Sequence, residues 1–339
     1  MITIRDVASH ARVSVTTVSH VLNGTRAVSP EARDRVRHAV EALNYVPSAL
    51  ARSLKSSRTH TVGMLIPNNS NPYFAEIIRG IEDRCYASGF SVVLCNTDDE
   101  PLKQSTYVRL MAEKQVDGII VVSSGTDPEL ISELRKLSMP QVIVDREIED
   151  LAADLVEVHH EAGARLATEY LLGLGHRRIA CIAGPQALSS ARQRLEGYRN
   201  ALKAAGIRAD AAWIRTGDFT SEGGYAAALS LLQGGGERPT AVFAANDLMA
   251  VGAICAAAQQ GLRIPQDLSV IGFDDIALAN HTNPPLTTIA QPKHETGHLA
   301  ADLLLLRIAQ PGRELQKRVL QPVLRERASC SAHAAGAPA

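Results

Sequence analysis

From residue 61 onward, short apolar runs alternate with longer segments of helical periodicity, and this alternation restricts the chain more than any other feature. Apolar strand candidates are TVGMLIP (61–67), FSVVLCN (90–96), GIIVV (118–122), PQVIVD (140–145), RIACIAG (178–184), TAVFAAN (240–246), LSVIGFDD (268–275) and LTTIA (286–290). Helical patterns such as NPYFAEIIRGIEDRCYASG (71–89) and ARQRLEGYRNALKAAG (191–206) lie between most of them. Strands that are apolar on both faces need cover on both. The pattern therefore predicts an α/β fold with parallel sheets covered by helices. The segment is long for one doubly wound unit. Two lobes are expected, with a break near 160 and a return crossing near 291. A ligand would sit between them, at the carboxyl ends of the strands.

The first sixty residues follow a different pattern. TIRDVASHA (3–11) reads as a short helix, with Thr3 and Asp6 at capping-box spacing and Val7, Ala8 and Ala11 on one side. RVS interrupts it, and Ser14 can cap a second helix, VTTVSHVLN (15–23). In that helix Val18, Val21 and Leu22 face inward, while Thr16, His20 and Asn23 fall on the opposite side. A third helix starts at Ser29-Pro30, a cap followed by proline at the first helical position, and carries the stripe Val36, Ala39, Val40, Leu43. Two short helices around a tight turn, braced by a third, match a helix-turn-helix, whose second helix meets base edges in the major groove. A small helical bundle with a polar outer face fits the same pattern.

Charge separates along the same boundary. Residues 1–60 hold nine Lys/Arg against four acids, and the rest holds 26 against 32. A basic head on an acidic body suggests that the head meets an anion. Between them lies PSALARSLKSS (47–57), with Leu50 and Leu54 four apart and Arg52 and Lys55 alongside. That is helical spacing, yet a helix of about nine residues is marginal alone in water, so the segment needs something to fold against.

The markers DVA, VS-x-x-TVS-x-VLN, the VS-x-x-x-R-x-x-V run, and LNY-x-P followed by A-x-SLK together resemble the head of the LacI/GalR repressors. The resemblance continues through SNPYF, VDR, ARQRLEGY, GDF, AAND, GFDD and TIAQP, in the order expected of the periplasmic-binding-protein-like body that this family carries. It implies a helix-turn-helix head over 1–46 and a hinge helix and linker over 47–60. It also implies a two-lobed, sugar-binding-protein-like effector and dimerisation domain over 61–327. Lobe 1 is expected over about 61–160 and 292–320, and lobe 2 over about 161–291 and 321–327. Residues 328–339 read as a disordered tail. Val15, Thr16 and His20 are implied to reach base edges. Ala51, Leu54 and Lys55 of the hinge helix would enter the minor groove beside a twin helix, with Leu54 as the wedge that opens a base step. One departure is Arg12, which stands where the family usually has glycine and is expected either to avoid a strained positive φ or to sit in a slightly different turn.

For the effector, the resemblance implies Asn71, Tyr73, Phe74, Asp145, Arg146, Arg194, Phe219, Asn246, Asp274 and Gln291. A sugar suits this set: its hydroxyls donate and accept, and its C–H faces pack on rings. Asn and Asp are also common turn and cap residues, so each position taken singly has a structural reading. The set is similar to that of ribose-binding proteins except for Tyr73, whose phenol could engage a different hydroxyl. The function implied is a sugar-responsive, dimeric transcriptional repressor on operator DNA, released by ribose or a similar aldose. A purine or other small-molecule corepressor is the alternative, and a plain sugar-binding protein is the alternative from another class.

Other signals are set aside. GLGHRR (173–178) has Arg178 where a dinucleotide loop needs glycine, and it precedes a strand. His159-His160 reads as a surface pair, since adjacent side chains diverge. The five cysteines show no CxxC pair, which argues against disulfide or zinc scaffolds. No GxSxG or HExxH appears, no cofactor is called for, and a non-enzyme is expected. No apolar run reaches the ~18 residues of a membrane span. With no secretory signal at the N-terminus, a cytoplasmic protein is expected.

Overall fold

The computed structural model describes residues 2–46, 58–122, 127–145, 148, 151–234 and 237–333. The hinge helix expected over 47–57, with Ala51, Leu54 and Lys55, lies outside the described residues, as does Arg146. The chain divides into two compact units, Met1–Thr59 and His60–Ala339.

The first unit contains α1 (Ile4–Ala11), α2 (Val15–Asn23) and α3 (Pro30–Ala42). All three start where their caps predict. Thr3 and Asp6 close a capping box, Ser14 Oγ accepts from the Thr17 amide at 3.0 Å, and Ser29 Oγ accepts from the Ala32 amide at 3.3 Å. Val7, Ala8, Ala11, Val18, Val36 and Ala39 form the core, so each helix buries the side its periodicity assigned. Arg12 corrects the expectation about its backbone. It takes φ 53° and ψ 47°, and its amide donates to the carbonyls of Ala8 and Ser9 to end α1. The helix terminus needs a left-handed residue there, and the bonds gained hold an arginine in it. Arg12→Val is expected to destabilise the head by about 1–2 kcal/mol, because a β-branched side chain adds strain at positive φ. Arg12→Gly should not. The denaturant midpoint of the head's transition measures both.

The second unit is built on two sheets. The first contains β1 (Thr61–Ile66), β2 (Ser91–Asn96), β3 (Gly118–Val122), β4 (Gln141–Val144), β5 (Asp154–Val158) and β11 (Lys317–Leu320), in the order β11-β5-β4-β3-β1-β2 and all parallel. The second contains β6 (Ile179–Ala183), β7 (Ile214–Thr216), β8 (Ala241–Ala244), β9 (Ser269–Asp274), β10 (Thr287–Ala290) and β12 (Val323–Arg325), in the order β12-β10-β9-β8-β6-β7. Here only β12 runs antiparallel among the described strands. The helices are α4 (Pro72–Ala87), α5 (Pro101–Glu113), α6 (Pro128–Lys136) and α11 (Lys293–Ala309) with the first sheet, and α7 (His160–Gly173), α8 (Ser189–Ala204), α9 (Ser221–Leu232) and α10 (Asp247–Gln259) with the second. The chain changes sheets after β5, after β10 and after β11, which gives the two expected lobes.

Every strand candidate forms, and β1, β3 and β8 are buried almost throughout. Strands β5, β7, β11 and β12 have no counterpart among the sequence expectations: they are short or carry charge, such as Asp154 and Glu157 in β5. Two details fix the first lobe. At Gly297 of α11 an added Cβ would stand 2.0 Å from the Ile77 carbonyl oxygen of α4, so only glycine lets these helices meet. Asp154, fully buried, takes a two-pronged bond from Arg307 of α11 at 2.5 and 3.0 Å.

The disordered-tail expectation fails for residues 328–333. Ser329 is fully buried, donates to the Val270 carbonyl at 2.6 Å and accepts from the Thr287 amide at 2.8 Å. The His333 amide donates to the Leu174 carbonyl at 2.8 Å. A small, polar sequence looks like a tail, yet here its backbone and hydroxyl groups find partners on the second lobe.

Candidate functional site

A cavity of ≈ 380 Å³ opens between the two sheets, at the carboxyl ends of their strands. Asn71 follows β1, Asp145 follows β4, Phe219 follows β7, Asn246 follows β8, and Asp274 ends β9. All five line the cavity with Tyr73, Phe74 and Arg194. Arg194 arrives from the first turns of α8, and Tyr73 and Phe74 from the start of α4. Of the ten expected ligand residues, eight therefore converge. Gln291 stands behind the lining and acts on it, and Arg146 is outside the described residues.

Several of these side chains are joined in a ring of hydrogen bonds. Tyr73 Oη lies 3.3 Å from Asp145 Oδ1 and 3.2 Å from Gln291 Oε1. Gln291 Nε2 donates to Asp274 Oδ1 at 2.6 Å. Arg194 Nη1 donates to the same oxygen at 3.4 Å and to the Ala245 carbonyl at 2.5 Å. His160 closes the ring, with Nε2 2.9 Å from Asp145 Oδ1 and Nδ1 3.3–3.4 Å from Arg194 Nη2 and Nε. The Arg194 guanidinium carbon lies 4.0 Å from the centre of the Phe273 ring. These bonds leave one Nη2 hydrogen of Arg194 uncommitted. Tyr73 is buried, and its phenol is turned into the ring of bonds, between the Asp145 carboxylate and the Gln291 amide oxygen.

His160 is the member of this ring that sequence reasoning misses. Its neighbour His159 behaves as expected, exposed and capping α7 through Nδ1, but His160 is buried. Adjacent side chains do diverge, and at this strand-to-helix junction divergence sends one outward and the other inward, against Asp145 and Arg194. Asn71 and Asn246 each cap a helix, with Oδ1 accepting from the amides of Tyr73 (3.0 Å) and Met249 (2.9 Å), and each also lines the cavity. The rim adds Asp99, Asp218, Thr220, Ser221 and Glu222, none of them among the expected ligand residues. GDFTSEG, directly after a strand, is the available signal.

Electrostatics follow from burial. Desolvation pushes the Asp274 carboxyl up to about 6, against the pull of Arg194 and Lys293. Desolvation likewise raises Asp247, which is buried beside Asp274 and accepts from the Ile276 amide at 2.8 Å and Thr288 Oγ1 at 2.5 Å. The Tyr73 phenol is held well above its ordinary value by burial and by Asp145, so it stays a donor. Backbone strain gathers here too: Asp145, Phe219 and Asp274 have φ of 75°, 66° and 122°. Non-glycine residues keep such angles, at a cost of about 1–3 kcal/mol each, only where their surroundings over-determine them, and they cluster at functional sites.

In the first unit, Val15 and Thr16 are exposed at the start of α2, and His20 is half-buried with Nδ1 2.8 Å from Thr25 Oγ1. The second helix thus presents its N-terminal side chains outward, as a groove-reading helix must. Among the described residues no cluster of ligating side chains suits a metal ion, and no helix is long and apolar enough to cross a membrane.

Comparison with known proteins agrees with this geometry. Residues 3–48 match the model of bacterial regulatory proteins of the lacI family, and residues 168–330 match that of a periplasmic binding protein-like domain. The ribose operon repressor of Escherichia coli (strain K12) is 46% identical over 330 residues, covering 97% of this chain and 100% of that protein. The HTH-type transcriptional repressor PurR of Photobacterium profundum is 43% identical over 325 residues, covering 96% of this chain and 97% of its own. The crystal structure of the lac repressor dimer bound to operator and the anti-inducer ONPF superposes with a TM-score of 0.89 at 32% identity, covering 98% of this chain and 99% of that one. A head whose second helix faces outward, a two-lobed body with a polar cleft, and likeness over nearly the whole length lead to one conclusion: the chain belongs to the LacI family of DNA-binding transcriptional repressors.

Proposed function

We propose that the chain is a homodimeric cytoplasmic repressor whose operator binding is released by an uncharged sugar, ribose or a similar aldose, held in the cavity between its lobes. The observation that carries this reading is the composition of the cavity wall. Asp99, Asp145, Asp218, Glu222 and Asp274 face a single described cation, Arg194, which is already bonded to protein groups. Such a wall favours a ligand rich in hydroxyls, which can donate to carboxylates, and disfavours a phosphorylated one. Tyr73, Phe74 and Phe219 offer ring surface for the C–H faces. The likeness to a ribose operon repressor over its whole length supports the same choice. Val15, Thr16 and His20 would read base edges. Exposed Tyr86, Val93, Leu94 and Leu102, on or beside the edge strand β2, support a second copy as partner. Effector and operator would oppose each other by a coupling of about 1–3 kcal/mol, reciprocal by thermodynamic necessity. The likeness to a PurR repressor favours a second reading, a purine corepressor in the same cavity.

Calorimetry of the full chain against ribose, other aldoses, ribose 5-phosphate and purine bases separates these. Ribose binding with no heat from the phosphate or the purines is expected; a purine as the sole ligand would overturn the sugar reading. The affinity should also depend on pH. The Asp274 carboxyl accepts its bonds as an anion and takes up a proton near pH 6, so sugar affinity is expected to rise with pH through about 6 and level off above 7. For stability the sign is opposite. The folded pKa lies above the unfolded value, so this group's contribution is present below about 4 and is lost as pH rises through about 6.

A further inference from the structure

His160 opens α7, directly after the first crossing between the sheets, and its ring is held at both nitrogens. On one side is Asp145, at the end of the first lobe's β4; on the other is Arg194, from the second lobe's α8. A guanidinium can only donate, so Nδ1 must present its lone pair to Arg194. The ring's proton then sits on Nε2 and is donated to Asp145. The two bonds together select one tautomer of the uncharged imidazole. Burial acts in the same direction, holding the ring's pKa below its ordinary value, and the charge of Arg194 adds to this while Asp145 and Glu157 oppose it. The Phe273 ring, 6.1 Å from the imidazole and 4.0 Å from the Arg194 guanidinium, closes off the other side.

We infer that His160 is a positioning residue of the effector site, which fixes Asp145 of one lobe against Arg194 of the other as the Nε2-protonated neutral imidazole. The inference rests on the effector reading above. Asp145 sits at φ 75° and Arg194 on a long side chain, so neither is placed by its backbone alone. Without the imidazole each loses a buried partner: the carboxylate a donor, the guanidinium an acceptor. A ligand hydroxyl meeting both would then find them apart. Leucine at 160 fills similar space with neither function. Glutamine carries a donor and an acceptor at a spacing near that of the two ring nitrogens.

The test uses the full-length chain, ribose as the titrated probe, and ¹⁵N-histidine NMR. His160→Leu is expected to weaken ribose binding by about 10–100-fold, and His160→Gln to stay within about 3-fold of the parent. A role in packing alone would not be rescued by glutamine. Parental affinity in His160→Leu, or a loss in folded His160→Gln equal to that of His160→Leu, would overturn the inference. Should the leucine variant fail to fold, the glutamine variant and the spectrum of the parent decide. That spectrum is expected to show a neutral, Nε2-protonated His160 at pH 7; an imidazolium or the other tautomer would overturn the proposal. If the parent binds no sugar, the effector reading fails, and the tautomer still reports on His160 independently.

Discussion

Arg194→Ala is expected to lower effector affinity by about 100-fold, roughly 3 kcal/mol, and to abolish release from the operator, while operator binding without effector persists. The size follows from what the guanidinium does. It binds His160, the Ala245 carbonyl and Asp274 together, and it is the only described cation on the cavity wall. Alanine would leave Asp274 buried without its charge partner, a change that can cost several kcal/mol of stability when the remaining group stays ionised. Asp274 has an outlet, since its carboxyl already takes up a proton near pH 6 and can neutralise. The body is therefore expected to stay folded, and the head is a separate compact unit. Arg194→Lys should rescue little, because an ammonium is a compact point charge that cannot reach three partners in one plane. Effector titration by calorimetry and operator binding by fluorescence anisotropy read the two halves of this prediction. Normal release in Arg194→Ala would move the effector site elsewhere.

Operator affinity is expected to fall steeply with salt. Residues 1–60 carry nine Lys/Arg against four acids, and the proposed dimer would bring two such heads to the duplex. If about 6–10 phosphates are neutralised, affinity falls by about 10³–10⁵ between 50 and 200 mM salt, because each contact releases condensed counterions. The wild-type chain and an operator titrated at several salt concentrations suffice. A flat profile would mean that the positive charge of the head is not spent on phosphates.

The parts of the fold legible in the sequence are those encoded by near neighbours. Thr3, Ser14 and Ser29 mark helix starts because a cap and the amide it serves lie within three residues. GIIVV reads as a buried strand because each of its residues is apolar, and it forms β3 with the same bounds. Where charge enters a short strand, as in KRVL at 317–320, local composition misleads, and the pairing with β5 decides.

The site divides along the same line. Which residues stand at strand ends is readable, since a strand's end is a local property, and eight of the ten expected ligand residues reach the cavity. Their connections are not readable. The partners in the ring of bonds are separated by 15 residues for His160 and Asp145, 80 for Arg194 and Asp274, and 218 for Tyr73 and Gln291. In sequence His160 looks like half of a surface pair, and residues 328–333 like a loose end. By itself, then, the sequence determined the apolar strands, the capped helices and the two-lobed α/β plan, because periodicity and capping act over a few residues, and the resemblance of its motifs to the LacI/GalR repressors added the helix-turn-helix head. Only the tertiary structure decided that His160 stands between Asp145 and Arg194, that the Tyr73 phenol lies between Asp145 and Gln291, and what Ser329 is buried against. A buried polar atom must take whatever partner the fold brings to it, and no local pattern specifies that partner.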